Sequence, residues 1–171
     1  MPTSAWAEVT GEDLRQGDHL PACEVPILGP SYPDDNNIRL DTFDLIVITH
    51  SCDLVEDVQG MVVNLCQIGS VPKFELDNPL LKEGGRWGKI RNGQYQAFHL
   101  LPSPITPDDG RASLVVDFRR VFCLPISYVR RHALGCGPRS RLLSPYVEHF
   151  SQAFARYFMR IALPVEIPKF K

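Results

Sequence analysis

The pattern of apolar and polar positions identifies one strongly hydrophobic strand that ends in a row of reactive side chains. The run Leu45-Ile-Val-Ile48 is continuously apolar, which is typical of a strand buried on both faces. The five residues that follow are polar or reactive: Thr49, His50, Ser51, Cys52 and Asp53. Binding and catalytic sites are commonly built where a core strand gives way to a loop, so this segment is the first candidate site.

Shorter apolar stretches predict further strands on either side of this segment. Their periodicity assigns strands to 23–28, 38–40, 45–49, 61–68, 94–101 and 113–124. Alternation in the last of them assigns one face to Leu114, Val116, Phe118, Phe122 and Leu124. Segments rich in Pro, Gly and Asp, notably 29–37 and 102–111, predict loops.

The C-terminal part of the sequence is typical of helices. A short helix is predicted over 125–134, and the Gly- and Pro-containing segment 135–138 ends it. For a second helix Ser144 is the predicted N-cap and Pro145 the first helical residue, with Pro164 after its end. Its apolar positions recur every three or four residues, and its polar face carries Gln152, Arg156 and Arg160.

Many short strands followed by a closing helix predict a mainly β (α+β) fold. We expect a small SH3-like barrel or a strongly bent antiparallel sheet, with a C-terminal amphipathic helix packed against it. A length of 171 residues favours a single domain over 1–171. The barrel or sheet is assigned to 14–124 with a loop-rich insertion at 71–111, and the helical part to 125–163.

Composition predicts a cytoplasmic protein that does not enter a membrane. Hydrophobic residues make up 44% of the chain, yet no apolar stretch approaches the roughly 18 residues that a spanning helix needs. The first residues show neither the basic nor the apolar region of a signal peptide. The five cysteines lack a C-x-x-C pair, so we expect free thiols.

Charge is divided unevenly along the chain. Residues 1–118 contain 8 Lys+Arg against 18 Asp+Glu, whereas residues 119–171 contain 10 against 2. Arginine suits bidentate phosphate contacts, and tyrosines lie among these arginines, so the basic part could bind RNA. The alternative is that it neutralises the acidic part within one fold or a homodimer, which the pI near 6.2 favours. Both interpretations stay open.

The segment 49–53 has several chemical interpretations. Cys52 could pack inward while Ser51 and Asp53 bond to backbone at a turn. The segment could instead bind a ligand non-covalently, or Cys52 could be a nucleophile, which the neighbouring carboxylate disfavours. A zinc site from His50, Cys52, Cys66 and His99 lacks the usual paired spacing, so no metal and no cofactor is predicted.

The order of these elements resembles the MazF/PemK-like toxins. The similarity is carried by Leu45-Ile-Val-Ile-Thr49, Met61-Val-Val-Asn-Leu65, Leu114-Val-Val-Asp-Phe118 and Arg141-Leu-Leu-Ser144. The resemblance implies an SH3-like barrel with a C-terminal helix that cleaves RNA without metal. That family places Arg-Pro immediately before the buried strand, where this chain has Phe43-Asp44 and its nearest basic residue is Arg39.

Three functional hypotheses follow. The first is a divergent MazF-like nucleic-acid- or partner-binding module, in a toxin–antitoxin or defence system, whose binding residues are Thr49, His50, Ser51, Cys52, Arg86, Arg141, Arg156 and Arg160. The second is a metal-independent ribonuclease that uses Asp53, Arg39 and His99 for catalysis. The third is a structural interaction protein whose oppositely charged halves pair across a homodimer.

Overall fold

The computed structural model describes residues 4–55 and 60–159. Within them, seven strands and four α-helices form an α+β fold. The strands are β1 (Trp6–Val9), β2 (His19–Leu28), β3 (Ile38–Val47), β4 (Val62–Ser70), β5 (Phe98–Leu101), β6 (Leu114–Pro125) and β7 (Arg139–Leu142). The helices are α1 (Val71–Asp77), α2 (Arg86–Arg91), α3 (Ile126–Cys136) and α4 (Tyr146–Phe158). Short 3-10 turns cover Ser51–Leu54, Pro79–Lys82 and Gly110–Ala112.

Two antiparallel sheets form the framework. Five strands pair in the order β2-β3-β4-β6-β5, and β1 pairs with β7. The turn at Gly17 joins the two sheets, because its N–H donates to the carbonyl of Val47 (2.9 Å) and its carbonyl accepts from the N–H of Leu142 (3.0 Å). The predicted mainly β (α+β) class with a C-terminal helix is confirmed. Among the described strands β2 and β5 remain edges, so the sheet does not close into a barrel, which was one of the two predicted arrangements.

The large sheet is covered on both faces, as the apolar run on β3 predicts. Leu45 and Val47 pack with Val129 of α3, whereas Ile46, one position along, packs with Phe150 of α4. Neighbouring residues of a strand point to opposite faces, so α3 and α4 lie on opposite sides of the sheet. Each face buries apolar side chains completely. Such burial stabilises the fold by about 25 cal/mol for each Å² of apolar surface removed from water.

Residues 71–111, predicted to be loop-rich, contain α1, α2, two 3-10 turns and the edge strand β5. They enclose a third apolar cluster that includes Phe74, Ile90 and Phe98. The buried carboxylate of Glu75 accepts from Trp87 Nε1 and from both terminal nitrogens of Arg111, each at 2.8 Å. These bonds hold α1 and α2 to the segment before β6, so the region is folded onto the sheet edge.

The face assignment along β6 is wrong, because the strand contains a bulge. Cys66 pairs with Val121 but the next residue, Gln67, pairs with Asp117, which leaves 118–120 outside the ladder. Such an insertion changes which side chains share a face beyond it. Phe118 therefore packs in the α4-side core and Leu124 in the α3-side core.

Further differences concern the ends of elements. The predicted strands 38–40 and 45–49 form one strand, β3, and neither β1 nor β7 was expected. Pro145, not Ser144, is the N-cap of α4, and no side chain caps it. The expected end of this helix, at 161–164, lies outside the described residues. Among the described helices, none combines the length and the apolar character needed to cross a membrane.

Candidate functional site

One end of α4 borders a polar cleft that contains part of the predicted site. This serine cleft, of about 500 Å³, is lined by Arg15, Gln16, His50, Ser51, Arg141, Ser144, Glu148, Ser151 and Gln152, with three apolar neighbours. Gln16 organises it. Its backbone N–H donates to Ser51 Oγ (3.1 Å), and its side-chain amide donates to the carbonyl of Ile48 (2.9 Å) and to Ser151 Oγ (3.4 Å). The end of β3 is thereby tied to α4.

Further along α4 lies a second cleft, of about 430 Å³, which we call the histidine cleft. Its polar lining is Arg91, Asn92, Gln96, His99, His149, Gln152 and Arg156. Gln152 lines both clefts, so they adjoin each other along α4, and we call the two together the α4 groove. Arg91 and Arg156 form no ion pair with any residue in the described ranges, and Arg156 donates only to Gln152 Oε1 (3.3 Å). In the histidine cleft these two arginines therefore present positive charge that no described carboxylate pairs with.

A buried ion cluster fixes Arg141 at the edge of the serine cleft. The carboxylate of Asp18 is fully buried and accepts from Arg139 (3.2 Å) and from Arg141 (2.9 Å). Arg139 also donates to the backbone carbonyls of Gly11 (2.7 Å) and Asp13. Both arginines belong to β7, which alternation places on one face. Acidic N-terminal and basic C-terminal residues thus neutralise each other within one chain at this point.

His99 is held in a fixed orientation on the floor of the histidine cleft. Its ring lies nearly parallel to that of Phe118 (6.0 Å between centroids, 17°) and is tilted against that of Phe150 (6.1 Å). Burial and then the charge of nearby His149 lower the pKa of His99 to about 4. The imidazole is therefore neutral near pH 7 and can accept a proton or a hydrogen bond from a ligand.

Because His99 is buried in its neutral form, the free energy of unfolding depends on pH. The pKa of His99 in the folded protein, about 4, lies below the ordinary histidine value of about 6.5, so the unfolded chain binds the proton more readily. The contribution of neutral His99 to the free energy of unfolding is fully present above about pH 6.5 and is lost as the pH falls towards 4. The loss is at most about 3 kcal/mol. Urea unfolding at about pH 7 and about pH 4.5 should show a smaller acid-induced loss in His99→Gln than in the wild type. Equal losses in both proteins would contradict this assignment.

The predicted catalytic residues do not come together. Arg39 pairs across the hairpin with Ile27 and forms an ion pair with Asp41 (3.0 Å). It lies roughly 25 Å along β3 from the strand's end at Val47, at about 3.3 Å per residue. Asp53 is exposed in the 3-10 turn after that end, and His99 lies on β5, three strand spacings or about 14 Å from β3.

The remaining predicted binding residues are distributed unevenly. His50, Ser51 and Arg141 line the serine cleft, and Arg156 lines the histidine cleft. Thr49 instead accepts from the backbone N–H of Asn64 (2.7 Å) and stabilises the strand end. Three others lie elsewhere: Cys52 is exposed, Arg86 begins α2, and Arg160 lies outside the described residues.

The inward packing considered for Cys52 is wrong, because this residue is exposed. Ser51 does bond to backbone, but its Oγ accepts from the N–H of Gln16 in a distant loop. No set of three potential metal ligands occurs in the described part of the chain. Burial, with the charge of Asp117, raises the pKa of the Cys66 thiol to about 12, so this sulfur stays protonated and is a poor metal ligand. The five cysteines form no disulfide, as expected for free thiols.

Several groove residues carry no signal in the sequence. Gln16 lies in the loop before β2, and His149 and Ser151 lie on α4, where polar side chains are ordinary. Only the helical spacing of His149, Gln152 and Arg156, at intervals of three and four, could have placed them on one face.

No protein-family model, curated protein or solved structure matches this chain.

Proposed function

We propose that this protein is an RNA-binding module and that the α4 groove holds single-stranded RNA. The observation that carries the proposal is the pair of uncompensated arginines, Arg91 and Arg156, facing one cleft beside two histidines. Phosphate oxygens are the natural partners of such guanidinium groups, which bind them through two parallel hydrogen bonds. Glu148 carries the one carboxylate among the residues that line the groove, so repulsion of a polyanion is small.

The length and the polar lining of the groove support the proposal. The helical rise between Glu148 and Arg156 gives a polar face roughly 12 Å long, at about 1.5 Å per residue. Side-chain amides and hydroxyls from Gln16, Ser151 and Gln152 lie between its cationic groups. Such groups can bind ribose hydroxyls and base edges, whereas the basic groups bind the backbone.

A second candidate function, metal-independent RNA cleavage, is favoured by His99 and His149 in the same cleft. Neutral His99 would take the proton of a ribose 2′-hydroxyl as its oxygen attacks phosphorus. Arg156 would contact the charged phosphoryl oxygens, and His149 would act as the acid that gives a proton to the departing 5′-oxygen. The products would be a 2′,3′-cyclic phosphate and a 5′-hydroxyl, which balances protons and bonds without a metal.

One experiment tests both functions. Labelled mixed-sequence RNA is incubated with the protein without metal, and the mixture is run on native and denaturing gels. We expect a shifted band on the native gel. RNA fragments that appear with Asp53→Asn but not with His149→Gln would establish cleavage in the histidine cleft, because Asp53 lies outside it. Intact RNA with a shift would leave a binding module, and no shift would contradict the proposal.

The resemblance to MazF/PemK-like toxins stays a prediction, and with it a role in a toxin–antitoxin or defence system. Pairing of charged halves across a homodimer also stays a prediction. The intrachain pairs of Asp18 with Arg139 and Arg141 reduce the charge available for it.

A further inference from the structure

The bulge in β6 creates a third cleft, which neither the α4 groove nor the ion cluster uses. Residues 118–120 leave the ladder between the pairs Gln67–Asp117 and Cys66–Val121. Bulges redirect side chains and are frequent beside functional sites. Here the side chain of Arg120 turns back to donate to Gln67 Oε1 (2.9 Å), and that of Arg119 turns back to the carboxylate of Asp117 (2.9 and 2.8 Å).

This bulge cleft has a buried polar floor. Gln67 is 4% exposed and Asp117 is 3% exposed, although both are polar residues in the centre of a sheet. Burial of such groups costs free energy unless they are hydrogen-bonded. Asp117 accepts three hydrogen bonds from Arg119, whereas Gln67 accepts one, from Arg120, and its amide can still donate. The side-chain nitrogen of Gln67 donates to no residue within the described ranges, and Asn78 at the opening likewise makes no side-chain hydrogen bond there.

The volume and the lining of the cleft suit one heterocyclic base. Its volume is about 240 Å³, and three apolar side chains, Phe74, Leu81 and Phe98, form its walls. Apolar walls with a few convergent polar groups are the usual construction of small-ligand sites, and this volume lies below that of drug-sized pockets. The guanidinium of Arg119 already stacks 4.5 Å above the ring of Phe98 and offers a flat cationic surface of the kind on which bases stack.

The bulge cleft adjoins the histidine cleft of the α4 groove. Phe98 lines both clefts, so an RNA chain bound in the groove beside His99 would lie close to the bulge. Here Arg119 and Arg120 are exposed, and they supply further cationic groups beside the opening. An unstacked base leaving the groove can therefore enter the cleft while its phosphate stays near these arginines.

We propose that the bulge cleft is a pocket for one unstacked base and that it selects a base whose edge carries carbonyl groups, uracil or guanine, over adenine. The amide nitrogen of Gln67 on the floor and the guanidinium groups of Arg119 and Arg120 beside the opening are donors, and they match carbonyl oxygens. The carboxylate of Asp117, also on the floor, already accepts from Arg119. The imino N–H beside such a carbonyl meets the acceptors of Asp77 and Asn78 at the opening. Adenine presents an amino group where these bases present a carbonyl, and that amino group would face the donors. This inference rests on RNA binding in the α4 groove.

The test is fluorescence anisotropy with labelled oligouridylate and oligoadenylate of roughly 12 nucleotides, within the usual range of single-strand sites. We expect wild-type protein to bind oligouridylate about tenfold more tightly, as one well-paired base edge allows. Asn78→Ala should reduce that ratio to about threefold or less while leaving oligoadenylate affinity within about twofold. Gln67→Met removes the amide on the floor of the pocket and should reduce the preference for oligouridylate to a similar extent. Circular dichroism checks that this variant is folded.

The outcomes separate this inference from the proposed function. Equal affinity of wild-type protein for both oligomers, or an unchanged preference in Asn78→Ala, would overturn the base pocket while RNA binding stood. Tighter binding of oligoadenylate would indicate that stacking, not the base edge, determines affinity, and would also overturn it. Absence of binding to both oligomers would overturn the proposed function and the pocket together.

Discussion

Asp18→Ala should lower the free energy of unfolding by about 3–5 kcal/mol, the loss that follows removal of one partner from a buried ion pair. Asp18 and Arg139 are both fully buried, and Arg141 is 14% exposed. Without the carboxylate, two largely buried guanidinium groups would keep only backbone carbonyls and the exposed Asp13 as partners. Because domains of this size are stable by only about 5–15 kcal/mol, the loss would be a large fraction of the total.

Urea unfolding at neutral pH measures this loss, and Asp13→Ala is the matched control. Asp13 is also an aspartate paired with Arg141, at 3.5 Å, but its side chain is 67% exposed. Exposed pairs contribute about 0–1 kcal/mol, so the control should differ little from wild type. If the unfolding free energy of Asp18→Ala lay within about 1 kcal/mol of that of Asp13→Ala, the cluster would not stabilise the fold as described.

The same cluster connects stability to the candidate site. Arg141 lines the serine cleft, and Asp18 determines where its guanidinium group lies. The turn that carries Asp18 also joins β7 to β3 through the backbone of Gly17. Gly17 has φ +86°, and a Cβ there would come within 2.9 Å of the Cβ of Leu142, so glycine is required for the close approach. Loss of this junction should therefore disturb the serine cleft as well as the fold.

The double variant Arg91→Gln/Arg156→Gln should bind single-stranded RNA on the order of 100-fold more weakly than wild type, as two lost contacts of about 1.5 kcal/mol each predict. The two side chains face the histidine cleft from α2 and α4 and form no ion pair among the described residues. Their removal should therefore leave the fold intact while removing the positive charge that faces phosphate. Anisotropy at one fixed salt concentration measures the change.

Arg131→Gln is the control for this variant. Arg131 is an exposed arginine on α3, which packs on the opposite face of the sheet from α4. Its replacement changes the net charge in the same direction but leaves the groove untouched, so affinity should stay within about twofold of wild type. Equal weakening by Arg131→Gln and Arg156→Gln would mean that overall charge, not the groove, governs binding.

The local pattern of the sequence predicts the core elements of this fold well. The apolar run at 45–48 identifies a strand covered on both faces, and the three- and four-residue spacing of Val147, Phe150 and Phe154 identifies α4. These signals arise because each element must bury its own apolar side chains, which is a property of short segments. Two residues of the reactive row after β3, His50 and Ser51, line a cleft.

What the sequence does not indicate depends on distant partners. The strand β7 reads Arg-Ser-Arg-Leu between Pro138 and a loop, and nothing local shows that Arg139 is buried. Its burial depends on Asp18, which lies 121 residues away. The bulge in β6 depends on how that strand pairs with β4. The presence of His99 and His149 in one cleft likewise depends on the packing of α4 beside β5. For the same reason Arg39, Asp53 and His99 could be proposed as one site although the fold separates them.

The most direct test of RNA binding in the α4 groove is the salt dependence of affinity, measured by anisotropy with one single-stranded RNA over a series of salt concentrations. Each neutralised phosphate contributes about −0.7 to the slope of log affinity against log salt concentration on a single strand. We predict a slope of about −1.4 or steeper for wild type, and a slope less steep by about 1.4 for Arg91→Gln/Arg156→Gln. Binding that is independent of salt, or a slope unchanged in the double variant, would contradict the account.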